Sequence, residues 1–124
     1  TNSAVHGDLG IIEKGDIVIL LSKSGNTAET LYLAKLIKKF HSKTWLLTCN
    51  KFAKTKKKVD NTLVFNLQQE GDPWNILPNN STSLFLIFLQ SLAMALIEKQ
   101  NISIKVVKRN HPGGSIGEKL KKIK

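Results

Sequence analysis

Apolar and polar positions fall into blocks that alternate along the chain. Residues 16–21 form a continuous apolar run behind a turn-like Lys-Gly-Asp, and apolar runs also occupy residues 44–49 and 62–67. Short runs of this kind predict strands. The first has the composition of a strand buried on both faces, as in a parallel sheet. We therefore predict three strands.

Two segments between and after these runs have the character of helices. Apolar side chains recur every three residues over residues 27–40, which predicts an amphipathic helix. Asn26, with Glu29 three residues later, resembles a capping box at its start. Residues 81–99 are apolar on nearly every side, so we predict a long helix buried by the sheet and by a partner chain.

The remaining segments are more polar. Residues 50–58 are basic and predict a loop or a short exposed helix, whereas residues 68–80 predict a loop. Residues 102–110 are ambiguous between strand and coil. After a turn at 111–114, Ser115 with Glu118 would open a short basic helix.

Alternation of strand and helix with apolar strands predicts an α/β fold with a parallel sheet and no second domain. Three strands make a thin sheet, since a doubly wound fold usually has about five or six. Either this small chain stands alone, or a first βαβ portion is missing from it. Both alternatives stay open at this point.

Composition excludes several classes of protein. The chain has 124 residues, of which 41% are hydrophobic and 23% charged, as in ordinary globular domains. Cys49 is the single cysteine, which excludes a disulfide scaffold. The longest apolar run, 84–97, is shorter than the roughly 20 residues of a membrane helix, and residues 1–6 do not resemble a signal peptide. We expect a soluble, cytoplasmic protein.

The formal net charge is +10, and the basic residues are lysines apart from Arg109. Clusters lie at residues 51–58 and 119–124. They fit either an anion-binding surface or solvated faces, and they lack the arginines and aromatic residues typical of base recognition. We expect no specific nucleic-acid partner. Three scattered histidines and one cysteine have no metal-ligand spacing, so neither a metal nor a cofactor is expected.

The segment between the first strand and the first helix has the composition of an anion site. Free N–H groups and the positive dipole end of a helix suit a phosphate, and glycine permits close approach of the backbone. The same residue types are also ordinary turn and cap formers. The candidate phosphate-binding residues are Ser22, Ser24, Gly25, Asn26 and Thr27.

Other candidates are scattered along the chain. Ser81 and Thr82 open the long helix and offer a second set of hydroxyl groups, or simply a cap. The ionisable candidates are Glu29, Glu70, His6 and His111, each with an alternative structural role as a cap, loop or turn residue.

Three motifs together resemble the SIS (sugar isomerase) phosphosugar-binding domain. The marker is Ser-x-Ser-Gly-x-Thr followed by an acidic residue, at residues 22–29. His-Gly-Asp-Leu-Gly at 6–10 and His-Pro-Gly-Gly-Ser-Ile-Gly at 111–117 are similar to one branch, the arabinose 5-phosphate isomerases of the KpsF/GutQ type. The resemblance covers essentially residues 1–124 and implies a flavodoxin-like three-layer α/β sandwich.

The resemblance implies conversion of D-arabinose 5-phosphate to D-ribulose 5-phosphate through an enediol. In the family pattern, Glu29, Glu70 and His111 fall on acid/base positions, and His6 on an active-site histidine. The phosphate-binding positions are Ser22, Ser24, Thr27, Ser81 and Thr82. The family builds its sites between subunits, so a homo-tetramer or dimer is implied.

Two parts of the family pattern have no counterpart here. They are an early Gly-Lys-Ser-Gly loop that brings a lysine to the site, and tandem CBS domains after the last helix. The chain then corresponds to about the C-terminal two thirds of an SIS domain. Alternatives to an active isomerase are a non-catalytic phosphosugar-binding module and an inactive fragment.

Overall fold

The computed structural model describes residues 7–123. Contacts divide the chain into two compact units, Thr1–Phe85 and Leu86–Lys124. The described strands and α-helices are β1 (Ile17–Leu21), α1 (Ala28–Ile37), β2 (Lys43–Thr48), β3 (Asn61–Val64), α2 (Asn80–Lys99), α3 (Ile104–Asn110) and α4 (Gly114–Lys121). Short 3-10 helices occupy Asp8–Ile11, Lys38–Phe40 and Lys54–Lys58.

Within residues 7–123 the sheet has three parallel strands in the order β1-β2-β3. Leu20 pairs with Leu46 in one ladder, and Leu46 pairs with Thr62 in the other. Strand β2 lies between its two neighbours and is the most buried of the three, with Leu46 fully buried and Leu47 2% exposed. The predicted α/β class with a parallel sheet is confirmed.

Burial of β1 on both faces was a wrong prediction. Ile17 is 63% exposed and Leu21 is 46% exposed. Among the described strands, β1 has a neighbour on the β2 side alone. A strand at an edge lacks the cover that flanks a central strand, and its apolar composition does not change that.

Helix α1 packs on the sheet through Leu33, Ala34 and Ile37, which are all buried. Its N-cap is Thr27, whose Oγ1 accepts a hydrogen bond from the Thr30 N–H at 3.3 Å. The predicted cap at Asn26 was therefore wrong by one residue. The Asn26 side chain instead accepts from the Lys54 N–H at 2.8 Å.

Helix α2 begins at Asn80, one residue earlier than predicted, and ends at Lys99. Near its start Phe85 meets Phe65 edge-on, with ring centroids 5.8 Å apart. Its predicted burial by the sheet was wrong, because Ser81 and Phe85 are buried whereas Leu86, Ile87 and other apolar side chains are about half exposed or more.

By length and composition alone α2 would qualify as a membrane span, with a mean hydropathy of 1.6 in its most apolar window. The apolar run 84–97 already includes Gln90 and Ser91, but the helix is longer than that run and has 20 residues, Asn80–Lys99. Within residues 7–123 these apolar side chains stay exposed, and exposed apolar surface of this kind marks an interaction site.

The unit Leu86–Lys124 contains the rest of α2 with α3 and α4. Segment 102–110 was predicted as strand or coil, but residues Ile104–Asn110 are helical. Helix α4 begins at Gly114, and Gly113 occupies its N-cap without a side-chain hydrogen bond, so the predicted cap at Ser115 was wrong. Basic segment 50–58 contains the predicted short helix, of the 3-10 type.

Candidate functional site

The Ser22–Thr27 loop lies between the carboxyl end of β1 and the start of α1. Ser22 Oγ accepts from the Gly25 N–H at 3.0 Å, and Ser24 Oγ accepts from the Asn26 N–H at 3.2 Å. A hydroxyl oxygen that accepts one hydrogen bond still has its own proton to donate. The loop therefore offers hydroxyl donors beside a helix N-terminus, an environment suited to an anion.

Glu70 lies in the loop after β3 and accepts hydrogen bonds from Ser81 at the start of α2. It is 2% exposed. Its Oε1 accepts from Ser81 Oγ at 2.6 Å and lies 3.0 Å from Lys23 Nζ, while its Oε2 accepts from the Ser81 N–H at 3.0 Å. Lys23 thus joins the Ser22–Thr27 loop to the start of α2.

These bonds all favour the ionised form of Glu70. Hydrogen bonds from Ser81 are the largest cause, and with the Lys23 ammonium they lower the pKa of Glu70 to about 2, against the opposing effect of burial. A carboxylate with so low a pKa is a weak base near neutral pH. A proton-transfer role for Glu70 therefore requires its bonds to Lys23 and Ser81 to be released first.

Ser81 and Thr82 were predicted to bind phosphate through their hydroxyl groups. The Ser81 proton is donated to Glu70, and Thr82 Oγ1 donates to the carbonyl of Pro78 at 2.6 Å. Each hydroxyl has a single proton. Their phosphate role stays a prediction, and it needs these internal bonds to be exchanged for bonds to a ligand.

An open cleft of about 790 Å³ lies beside the loop within the unit Thr1–Phe85. It is lined by Lys23 and Ser24 from the loop, by Cys49 and Asn50 after β2, and by residues such as Phe65 after β3. Ligands of parallel α/β sheets bind at the carboxyl ends of the strands. Burial raises the pKa of the Cys49 thiol, so Cys49 is not an activated nucleophile.

Glu29 is exposed in the first turn of α1, two residues after the Thr27 cap. His111 belongs to the other unit and is exposed at the C-cap of α3. His111 Nδ1 lies 3.2 Å from the carbonyl oxygen of Val107, which only accepts hydrogen bonds. Nδ1 therefore carries the proton in the neutral ring and leaves the Nε2 lone pair free.

The turn that carries His111 is closely packed against α4. A Cβ at Gly117 would lie 2.9 Å from the Pro112 carbonyl carbon and 3.0 Å from the His111 carbonyl oxygen. Glycine at this position lets the helix approach the backbone of the turn. His6 lies outside the described residues. Within residues 7–123, no three His, Cys, Asp or Glu side chains form a group suited to a metal ion.

Comparison with known proteins identifies the family. A family model for the SIS domain matches residues 1–95. The chain belongs to the SIS domain family. Arabinose 5-phosphate isomerase KdsD of Pseudomonas aeruginosa is 37% identical over 117 residues, which are 94% of this chain and 36% of that protein. This SIS chain thus spans about a third of the length of the curated relatives that it matches.

Two solved structures share the SIS fold described above. A Listeria monocytogenes protein superimposes with a TM-score of 0.81 at 33% identity, over 90% of this chain and 59% of that one. An Escherichia coli CFT073 protein in complex with arabinose 5-phosphate has a TM-score of 0.75 at 32% identity, over 82% of this chain and 54% of its own. The SIS chain is thus related to arabinose 5-phosphate isomerases.

Sequence reasoning missed several residues that organise this SIS site. Lys23 lies within the loop but was not among the candidate residues, because its ion pair with Glu70 spans 47 positions of the sequence. Asn75 has a positive φ of 56°, and its Oδ1 accepts from the Glu70 N–H at 2.7 Å. Asn adopts that conformation more readily than most other non-glycine residues, which is the single local hint that the sequence contained.

We expect the stability of the SIS chain to fall as the pH drops from about 4.5 to about 2. The pKa of Glu70 is lower in the folded chain, about 2, than the ordinary value of 4.5. Its ionised form therefore stabilises the fold above pH 4.5, and this contribution is lost as the pH falls through the folded pKa. Urea unfolding of the wild type and of Glu70→Gln across this pH range measures the loss.

Glu70→Gln has no such proton to gain, so its free energy of unfolding should depend less steeply on pH. Asp60, whose pKa is lowered by hydrogen bonds from Thr44, contributes equally to both proteins. Glu118→Gln is the matched control, because that side chain is 66% exposed in a surface ion pair. Equal slopes for the wild type and Glu70→Gln would show that the Lys23–Glu70–Ser81 contacts do not form in solution.

Proposed function

We propose that this chain forms the phosphosugar-binding and proton-transfer part of an isomerase that converts D-arabinose 5-phosphate to D-ribulose 5-phosphate. One observation carries the proposal. The Ser22–Thr27 loop leads into the N-terminus of α1, with Ser24 and Thr27 exposed, and its Lys23 and Ser24 line the cleft. That arrangement suits the phosphate of a sugar. Family membership and the relatives' names supply the reaction class.

The proposed chemistry moves protons between adjacent carbons of the open-chain sugar. A base removes the proton from C2 while the aldehyde oxygen on C1 gains one, which yields an enediol. Return of a proton to C1, with loss of the proton from the C2 hydroxyl, completes the ketose. C1 is reduced and C2 is oxidised within the same molecule, so no external oxidant or reductant is needed and acid/base groups suffice.

Glu29 is the proposed carrier of the carbon-bound proton, because its carboxylate is exposed in the turn that follows the phosphate loop. His111 is the proposed partner for the oxygen-bound protons, through its free Nε2. Glu70 holds Lys23 and the start of α2 in the state described here. His6 is proposed as an active-site residue on the family pattern alone.

The proposal includes assembly into a homo-tetramer or dimer in the cytoplasm. The exposed apolar side chains of α2, such as Leu86, Ile87 and Met94, would be covered by a second copy of the chain. No specific nucleic-acid partner, metal or cofactor is part of the proposal.

An isomerase assay on this chain tests the function directly. The substrate is arabinose 5-phosphate and the product measured is ribulose 5-phosphate. Turnover above the uncatalysed rate supports the proposal. Thermal stabilisation by the sugar phosphate without turnover would replace it with a non-catalytic binding module, and a folded chain with neither property would overturn both.

We expect Ser24→Ala to raise KM for the sugar phosphate at least about tenfold and to leave kcat nearly unchanged. A hydrogen bond to a charged group contributes about 1.5–3 kcal/mol, and the phosphate is bound in both ground and transition states, so its loss acts on KM. Steady-state kinetics measure the split. The control is Ser42→Ala, since the buried Ser42 hydroxyl has no hydrogen-bond partner among the described residues. An unchanged KM in Ser24→Ala would exclude a Ser24–phosphate contact.

A further inference from the structure

Three successive carbonyl groups of the Ser22–Thr27 loop all accept hydrogen bonds from the last residue of β2 and the segment that follows it. The Lys23 carbonyl accepts from Thr48 Oγ1 at 2.9 Å and from the Cys49 N–H at 3.0 Å. The Ser24 carbonyl accepts from Asn50 Nδ2 at 2.9 Å. These bonds join parts of the chain about 25 residues apart, so they tie the loop to the neighbouring strand end.

Thr55 holds the third carbonyl, that of Gly25. Its Oγ1 donates at 2.7 Å and its N–H donates at 3.1 Å to the same oxygen. Thr55 is fully buried, although it lies in the exposed basic helix Lys54–Lys58. A buried hydroxyl with one acceptor is a fixed contact, because no water competes for it.

Fixing a carbonyl also fixes the N–H of the next residue. A trans peptide unit is planar, and its C=O and N–H point in opposite directions. The bonds to the carbonyls of Lys23, Ser24 and Gly25 therefore turn the N–H groups of Ser24, Gly25 and Asn26 toward the other side of the loop. Successive N–H groups on one side form a concavity that binds anions. In the structure described here the Gly25 and Asn26 N–H groups donate to Ser22 Oγ and Ser24 Oγ, so an anion bound there would replace these two acceptors.

We infer that Thr55, assisted by Asn50, is a positioning residue that orients the backbone N–H groups of the phosphate loop. The identity of the anion rests on the proposed function, whereas the orientation of the loop rests on the hydrogen bonds alone. Thr55 does not touch the ligand in this scheme. It acts through the Gly25 peptide. Within the lysine-rich helix Lys54–Lys58, Thr55 is thus the residue that holds the loop.

The first test measures the loop itself. In Thr55→Val, which keeps the shape and removes the hydroxyl, the Gly25 and Asn26 amide hydrogens should exchange about 3- to 10-fold faster by NMR. The Leu46 amide in β2 should not show this extra increase. Thr55→Ser, which keeps the donor, should restore slow exchange. Equal exchange at Asn26, whose N–H shares the peptide unit of the Gly25 carbonyl, in the wild type and Thr55→Val would overturn the inference.

Thr44→Val is the matched control. Thr44 is also fully buried, and its Oγ1 also donates at 2.7 Å, but to Asp60. It should lower the stability without a selective effect on the Gly25 and Asn26 amides. A selective effect of equal size in Thr44→Val would mean that general destabilisation explains the result, and this would overturn the inference.

The second test measures binding of inorganic phosphate. The dissociation constant should rise about 3- to 10-fold in Thr55→Val and return to the wild-type value in Thr55→Ser. Faster loop exchange with no phosphate binding by the wild type would support the positioning contact and overturn the anion site of the proposed function. Faster exchange of the loop amides in Thr55→Val together with an unchanged phosphate affinity would overturn the positioning role.

Asn50→Ala provides a second route if Thr55→Val does not fold. Asn50 is half-buried and its Nδ2 holds the Ser24 carbonyl. Its loss should speed exchange of the Gly25 amide, which shares that peptide unit, and weaken phosphate binding in the same direction. Wild-type exchange and affinity in Asn50→Ala would count against the inference independently of Thr55.

Discussion

Gly25→Ala is expected to lower the free energy of unfolding by about 2–5 kcal/mol. Gly25 has a φ of +60°, a conformation that costs an L-residue roughly 1–2 kcal/mol. Its new Cβ would also lie 2.5 Å from the Cβ of Ala53, which is buried. Backbone shifts that relieve such an overlap cost about 1–3 kcal/mol. Urea unfolding measures the sum.

Gly15→Ala is the matched control for the backbone contribution. Gly15 lies in the same unit and has a φ of +95°, but a Cβ there would meet nothing within 4 Å. Any loss in Gly25→Ala beyond that of Gly15→Ala reports the contact with Ala53. Equal losses would show that the loop moves away from Ala53 freely, which would contradict the tight packing of the loop.

His111→Ala is expected to lower kcat at least about 100-fold, the lower end for a general acid/base group. The Val107 carbonyl accepts a hydrogen bond from Nδ1, so Nε2 is the ring nitrogen left to exchange a proton with the substrate. Alanine removes this group and leaves the hydrogen bond of the His111 N–H to Val107 in place. Turnover of arabinose 5-phosphate measures the effect.

His41→Ala is the control for loss of a histidine as such. His41 ends the Lys38–Phe40 helix with a φ of 54°, and its role is that of a cap. Its replacement should change stability and leave kcat near the wild-type value. Turnover of His111→Ala that matched the wild type would remove His111 from the mechanism, whereas a similar loss in His41→Ala would make the effect non-specific.

Apolar patterning predicted β1, β2, β3, α1 and α2 close to their observed bounds, since side-chain period and turn residues are local properties. It failed at α3. Ile104, Val106 and Val107 are β-branched and suggest a strand. A strand needs a neighbour for its backbone N–H and C=O groups, whereas a helix satisfies its own. Composition cannot reveal whether such a neighbour exists.

Burial was the other property that patterning misjudged. The runs of β1 and α2 contain enough apolar side chains for burial on most sides, but Ile17 and Ile87 are each 63% exposed. Hydrophobicity shows that covering an apolar surface lowers the free energy of the protein. It does not show which surface covers it, because the place of each element in the tertiary structure decides that.

By itself the sequence determined the α/β alternation, the Ser22–Thr27 loop between β1 and α1, and the motifs that mark the SIS family, because each depends on residues close together in the chain. The tertiary structure alone decided that Glu70 meets both Lys23 and Ser81, and that Thr55 holds the Gly25 carbonyl. Those contacts join residues 11 to 47 positions apart. They depend on the strand register and on the path of each loop, which decide how far apart these side chains lie and which way they point. Neither property produces a repeating pattern in the sequence.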